Sequence, residues 1–281
     1  ALSSLQLGAL GIDQVQALTA GQVAGFGSAQ VIGLGTTQLQ QLSETALQGM
    51  SSAAIAGLRS QQLDALSADQ MQALSSQQLR GLTSRQLQQL SSEDLNSLTA
   101  EQFATLSSRQ MQALKPEQMA TLENQDLAAL STQVLRSLGS QQIAGLSAEQ
   151  LQSFSAGQLS AMGSRQLLGL STDQIGQLSP DFITALSTAA LRGLTAAQLS
   201  QLQPEQLTVL SSNQVQALGS AQIAALGSAG LDALLPEQLH SLSSAQLRGL
   251  SASQIQSLSG EDLLAMDPRS LRGLSTGQIA A

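Results

Sequence analysis

The chain has 281 residues, of which 42% are hydrophobic and 11% are charged, and its formal net charge is −8. Eleven basic residues against nineteen acidic ones give no electrostatic footprint for nucleic acid or anionic lipid, so we expect neither partner. The absence of cysteine excludes disulfides and thiolate metal sites. No stretch approaches about 18 consecutive apolar residues, so we expect no membrane insertion.

An eight-residue repeat runs through the sequence without insertion or deletion. It begins at Ser3 and gives 34 complete octads over residues 3–274, followed by a partial octad over residues 275–281. We label the eight positions a to h, as in S-A-D-Q-M-Q-A-L, Ser67–Leu74. Such a fixed period is the signature of a solenoid. We therefore expect a single repeat array over residues 1–281, forming part of a longer array.

Each position of the octad has its own character. Position e is apolar in all 35 octads and position h in all 34, and these two form the predicted core. Position d is Gln in 25 of 35, and g is mostly Ala, Gly or Ser. We expect small g residues to let neighbouring backbones approach closely and a partly buried Gln at d to bridge between coils. Positions c and f hold most of the charge and are predicted to face water.

The octad predicts a short helix with a at the N-cap and d at N3. Ser or Thr followed three residues later by Gln is the capping-box pattern. Proline, which is best tolerated in the first helical turn, lies at position b in every case. Acidic residues gather at c, where the helix dipole favours them. The five prolines are Pro116, Pro180, Pro204, Pro236 and Pro268.

Position a is Ser, Thr or Gly in all but six octads. Four exceptions precede a proline, which presets the first helical φ. The other two, Arg59 and Glu123, precede Ser60 and Asn124. These neighbours predict a cap one residue later in the two octads.

The repeat favours an all-α solenoid or superhelix of short capped helices, one per eight-residue repeat. A continuous helix fails because eight residues advance about 800°, which leaves roughly 80° of drift per octad. A β-solenoid remains the alternative, although Gln, Ala, Leu and Met favour helix. We expect helices of six or seven residues, which depend on their neighbours because isolated helices of that length are marginal. The sequence gives neither the number of octads per coil nor the hand.

One row of charged residues is a candidate interaction surface. Arginine recurs at position f every 56 residues, or seven octads, and two prolines recur at the same spacing. The recurrence is explained equally by an ancestral duplication and by a geometric period. The row consists of Arg80, Arg136, Arg192 and Arg248.

The usual constellations of catalysis are missing, so we predict no enzyme, no catalytic residue, no cofactor and no metal site. His240 is the only histidine and is predicted to be exposed at f. The acidic pairs Glu93–Asp94 and Glu261–Asp262 fit substitutions within the helix cap. The six methionines all lie at e or h, as core filler. Phe182 replaces Gln at d, and its burial would show that d faces inward.

The phrase L-[ST]-x-x-Q-[LIV]-x-[AG]-L, as in Leu66–Leu74, resembles octapeptide tracts of large bacterial secreted or surface proteins of the adhesin and repeat-toxin kind. The resemblance implies a non-enzymatic rod, stalk or spacer at the cell surface or outside the cell. A solenoid scaffold for protein–protein interaction, with other proteins or by self-association, is the alternative. A third hypothesis is an enzyme or an ice-binding surface. An enzyme would need a catalytic set of residues, and an ice-binding surface would need regular rows of threonine.

Overall fold

Each octad forms one short helix in the computed structural model, which describes residues 2–280. The chain divides into two compact units, Ala1–Leu138 and Gly139–Ala281, and each is an all-α solenoid. The first unit contains α1 Ser4–Gly8, α2 Ile12–Gln16, α3 Ala20–Val23, α4 Ser28–Val31, α5 Thr36–Gln40, α6 Glu44–Gln48, α7 Ser52–Gly57, α8 Ser60–Leu63, α9 Ala68–Gln72, α10 Ser76–Gly81, α11 Ser84–Leu87, α12 Ser92–Asn96, α13 Ala100–Thr105, α14 Ser108–Ala113, α15 Pro116–Ala120, α16 Asn124–Ala129 and α17 Thr132–Ser137.

The second unit continues the same pattern of one helix in each octad. It contains α18 Ser140–Ala144, α19 Ala148–Gln152, α20 Ala156–Ala161, α21 Ser164–Leu167, α22 Thr172–Gln177, α23 Pro180–Ala185, α24 Thr188–Leu191, α25 Ala196–Leu199, α26 Pro204–Thr208, α27 Ser212–Ala217, α28 Ser220–Ala225, α29 Gly227–Asp232, α30 Pro236–His240, α31 Ser244–Arg248, α32 Ala252–Ser257, α33 Gly260–Ala265, α34 Pro268–Leu271 and α35 Thr276–Ile279. No strand occurs in the described residues of either unit, so the β-solenoid alternative is wrong.

The predicted capping box starts most of these helices. In α9, the Ser67 Oγ accepts from the Gln70 amide at 3.2 Å, and the Gln70 Oε1 accepts from the Ser67 amide at 3.0 Å. All five prolines lie in the first turn of a helix, as position b predicts. The reciprocal bonds satisfy two of the amides that a helix N-terminus leaves free.

The helices end between positions e and g, and the chain then turns towards the next octad. Leu58, for example, has φ −63° and ψ 138°, which is extended backbone, and its amide donates to the Ile55 carbonyl at 3.1 Å. This bond spans three residues and tightens the last turn. The helices are therefore four to six residues long, shorter than the six or seven expected.

The expectation of displaced caps at two octads is wrong. The helix caps remain at Arg59 and Glu123, although neither side chain makes a capping bond. At the first position the Arg59 amide donates to the Gln62 Oε1 at 2.8 Å, so the glutamine at d holds the start of the helix without a hydroxyl at a.

Contacts between helices show how the octads coil. In the first unit α4 packs on α7, α7 on α10 and α10 on α13, and in the second unit α21 packs on α24 and α24 on α27. Each octad thus contacts the octad three positions later. The glutamines at d bond carbonyls 31 and 28 residues earlier, in the octad four positions before. One coil therefore takes between three and four octads within each unit.

Positions e and h form the core, as predicted. Phe103 at e is 0% exposed and Leu106 at h is 2% exposed. At the last coil the e residues lose this cover, and Ile279 is 69% exposed. Burial of e therefore depends on the following coil and not on the octad itself.

The small residues at g bring adjacent coils together, as expected. A Cβ on Gly57 would lie 2.5 Å from the Ser28 Cα, and one on Gly81 would lie 2.6 Å from the Ser52 oxygen. In each case the partner is position b of the octad three positions earlier. Such separations leave no room for a side chain unless the coils move apart.

Candidate interaction surface and the seams between coils

The glutamines at d connect each coil to the one before it. The Gln62 Nε2 donates to the carbonyls of Val31 and Leu34, at 2.9 and 2.7 Å, while its Oε1 accepts from its own N-cap. All the polar atoms of this 4% exposed side chain are therefore used. Equivalent pairs of bonds are made in the two units by Gln38, Gln70, Gln78, Gln86, Gln102, Gln110, Gln118, Gln198, Gln206, Gln214, Gln222, Gln238, Gln246 and Gln278.

We call this set of bonds the glutamine ladder. An amide suits it because one end accepts from the helix cap while the other donates two hydrogens to carbonyls. A carboxylate accepts only and would face two carbonyl oxygens. Glutamate is absent from position d in all 35 octads, whereas the shorter aspartate occurs there in three. The expectation that Gln at d bridges between coils is confirmed.

Position f forms a second seam, which the sequence analysis missed. Most of its side chains are exposed, as expected, but the tips of several donate to the carbonyl at g three octads later. The Gln112 Nε2 bonds the Ser137 carbonyl at 2.7 Å, and the Arg192 Nε bonds the Ala217 carbonyl at 2.9 Å. The same 25-residue relation joins Gln48 to Ala73, Asn96 to Thr121, Gln152 to Gln177, His240 to Ala265 and Arg248 to Gly273. The frequent side chains with N–H donors at position f were the feature of the sequence that could have predicted this seam.

The predicted arginine row lies on the outside of the molecule. Arg80 and Arg136 are exposed in the first unit, and Arg192 and Arg248 are exposed in the second. Seven octads are the sum of the three-octad and four-octad steps, so the two arginines of each unit are two coils apart on one side. Because packed helices lie about 8–10 Å apart, two arginines that are two coils apart are not in contact. The 56-residue recurrence therefore matches a geometric period within each unit.

His240 lines a surface hollow of about 910 Å³. Its Nδ1 lies 3.2 Å from the Ala265 carbonyl, which belongs to the f seam. The hydroxyls and carboxylates around it serve helix caps and turns: the Ser243 Oγ donates to Gln246, and the Asp267 Oδ1 accepts from the Arg269 amide. The hollow thus combines exposed polar groups that already have structural partners.

The acidic pairs behave as the predicted cap substitutions. The Asp94 Oδ2 accepts from the Ser91 amide at 3.2 Å, and the Asp262 Oδ2 accepts from the Ser259 amide at 2.8 Å. A hydrogen bond with Asp94 raises the pKa of Asp64, which lies 30 residues earlier at position f. No group of three or more His, Cys, Asp or Glu side chains within residues 2–280 is arranged to hold a metal ion.

Substitutions at d confirm that this position faces inward. Phe182 is 1% exposed and fills the space that the glutamine amide takes elsewhere. Asp126, also 1% exposed, brings a carboxylate to the same position. Burial, and secondarily the charge of Glu123, raise the pKa of Asp126 to about 6, while the Glu123 backbone amide acts in the opposite direction. Asp126 is not among the residues that the sequence pattern marked as candidates.

Comparisons with known proteins support the repeat and little more. Residues 44–76, 119–156 and 223–260 match the model of a family described as the ALTTAQ repeat, so the chain is a repeat protein. No curated protein matches it. A crystal structure of the leucine-rich repeat-containing protein LegL7 from Legionella pneumophila aligns over 94% of each chain, at 12% identity and a TM-score of 0.23. In residues 2–280, no helix has the length and apolar character needed to cross a membrane.

Proposed function

We propose that this chain is a non-enzymatic structural repeat protein that acts as a rod, stalk or spacer. The glutamine ladder is the observation that carries the proposal. In the octads with glutamine at d, the amide that caps the helix also bonds the coil before it, so local and coil-to-coil hydrogen bonds depend on the same side chain. Both the polar and the apolar side chains stabilise the contact between successive coils. This arrangement is suited to a long, stiff protein.

The engagement of polar groups in caps and seams supports the non-enzymatic part. Around His240 the hydroxyls and carboxylates bond helix termini, and at d the amides bond carbonyls. A nucleophile needs a base within hydrogen-bond reach and a base needs an orienting group, and the described contacts of these residues are structural instead.

We further propose an extracellular or surface location in a bacterium. The support is the resemblance of the octad to tracts of secreted and surface proteins, since the family match concerns the repeat alone. Protease treatment of intact cells that produce the protein is the test. Digestion before lysis is expected, and protection until lysis would contradict the location.

Deletion of whole octads tests the spacer. Removing residues 19–74 takes out seven octads, or about two coils, and joins Leu18 to Ser75 in phase. Small-angle scattering should show the largest dimension shortened by roughly 16–20 Å, from helix spacings of about 8–10 Å, with unchanged helicity per residue. Removal of residues 67–70, half an octad, breaks the phase and should lower helicity. An unchanged dimension in the first variant would contradict the spacer.

A protein-binding scaffold is the second candidate, favoured by the exposed pair Arg80 and Arg136 on one side of the first unit. Gln112 at f bonds the same kind of carbonyl as the arginines of the second unit. The double variant Arg80→Gln, Arg136→Gln should therefore remove charge and keep the seam. Calorimetric titration with an acidic peptide decides: binding that the variant loses favours the scaffold, and no binding by the unaltered chain contradicts it.

A further inference from the structure

Asp126 is exceptional at position d because its carboxylate oxygens accept no hydrogen bond of normal geometry, although the Glu123 backbone amide acts to lower its pKa. The side chain is 1% exposed, and both carboxylate oxygens are buried without a hydrogen-bond partner. The Asn96 Oδ1 is the one further buried side-chain polar atom in this condition within residues 2–280. Buried polar groups without partners are rare and costly, so three oxygens in one part of the fold need an explanation.

The repeat register places backbone oxygens opposite the Asp126 carboxylate. One octad earlier, the Gln118 Nε2 donates to the carbonyls of Leu87 and Leu90, at 2.8 and 2.9 Å. Eight residues on, the same register assigns the carbonyls of Leu95 and Leu98 to Asp126. Aspartate is one methylene shorter than glutamine and carries no N–H, so it cannot donate to these carbonyls as glutamine does.

The repeat register also assigns the Asn96 amide oxygen to the neighbourhood of Asp126. Asn96 lies at f and Asp126 at d, 30 residues later, which is the relation between Asp64 and Asp94. Those two side chains approach closely enough to share a hydrogen bond. The Asn96 Nδ2 donates to the Thr121 carbonyl at 2.8 Å, so the amide nitrogen is engaged in the f seam and the oxygen is the free end.

We propose that Asp126, the Asn96 Oδ1 and the carbonyl oxygens of Leu95 and Leu98 form a buried site for a calcium ion. All the ligands are oxygens, and a mixture of carboxylate, amide and carbonyl oxygens suits Ca²⁺ at 2.3–2.6 Å. A cation supplies the positive charge that the amide hydrogens supply in other octads. Glu123, whose charge acts on Asp126, adds to the negative potential.

Thermal unfolding followed by circular dichroism at 222 nm tests the site, since the chain has no Trp or Tyr for fluorescence. A site with so few carboxylates should bind with Kd of about 10⁻⁴–10⁻³ M. At pH 7.5, about 10 mM CaCl₂ should raise the Tm by about 2–5 °C relative to EGTA at equal ionic strength. Isothermal titration calorimetry should give about one site per chain.

Asp126→Gln restores the ladder and should fold, lose the calcium response and match or exceed the Tm of the unaltered chain in EGTA. Asp262→Gln is the matched control, because its carboxylate already has donors, and should keep the full response. Absence of a Tm rise, an equal rise with MgCl₂, or a rise that survives in Asp126→Gln would each overturn the proposal.

Discussion

Two octads of the chain share their core residues and differ at d. In Ser75–Leu82 the Gln78 amide bonds the previous coil and α10 begins at position b. In Gly227–Leu234 the d residue is Gly230, and α29 begins one residue early, at Gly227, which has φ +70°. The e and h residues of the second octad, Leu231 and Leu234, remain 0% and 4% exposed.

The difference separates two tasks within the octad. The apolar pair is sufficient to hold an octad in the core, since it stays buried in both. In most octads the helix start at b is held by the glutamine at d or by a hydroxyl at a: α6 and α7 have alanine at d and still begin at b, capped by Ser43 and Ser51. The octad Gly227–Leu234 has neither group, and there α29 contacts α28 directly, an exception to the three-octad pattern.

The largest expected effect comes from turning a ladder amide into a carboxylate. Gln78→Glu places a negative charge, 2% exposed, against the carbonyls of Leu47 and Met50. We expect a loss of about 3 kcal/mol or more in the free energy of unfolding at pH 7, measured by urea denaturation. Gln14→Glu is the control, because exposed Gln14 caps only Gly11 at 2.9 Å, and it should change little. Equal losses would show that the ladder bonds are not responsible.

The carboxylate of Asp126 at position d predicts that the stability of the fold depends on pH. The pKa of Asp126 is raised from 3.8 to about 6, so the folded chain binds a proton that the unfolded chain has released between these values. Its contribution to stability is fully present below pH 4 and is lost as the pH rises through about 6. In EGTA, the difference in Tm between the unaltered chain and Asp126→Gln should widen over that interval. A constant difference would contradict the raised pKa.

Closing the space between coils should cost less. Gly57→Ala puts a Cβ 2.5 Å from the Ser28 Cα, and we expect about 1–3 kcal/mol of destabilisation by urea denaturation. Gly21, in α3, has open space around its Cα. Gly21→Ala should therefore stabilise by up to about 1 kcal/mol through helix propensity. If both variants changed the free energy of unfolding in the same direction, close packing at g would not be the cause of the difference.

The smallest effect repairs the irregular octad. Gly227→Ala should cost about 1–2 kcal/mol in the unaltered chain because φ +70° strains an L-residue. In the Gly230→Gln background the a residue should adopt the φ near −72° seen at Gly219, and the cost should nearly vanish. A double-mutant cycle by denaturation measures this coupling. Additive effects would show that the glutamine does not set the helix start.

The local features of the fold were readable from the sequence. The cap at a, the proline at b, the N3 glutamine and the buried e and h pair all involve residues within one octad, where the bonds span three or four positions. The exceptions show the limit of that approach. At Arg59 and Glu123 a better local cap stood one residue later, and the helix start did not move.

The sequence by itself determined the repeat, the helix in each octad and the composition of the core, because these follow from local hydrogen bonding and from apolar periodicity. Only the tertiary structure decided the number of octads per coil, the partners of the d and f side chains and the burial of Asp126. The physical reason is distance along the chain: the deciding contacts join residues 25 to 31 positions apart, and they exist only after the coils have stacked.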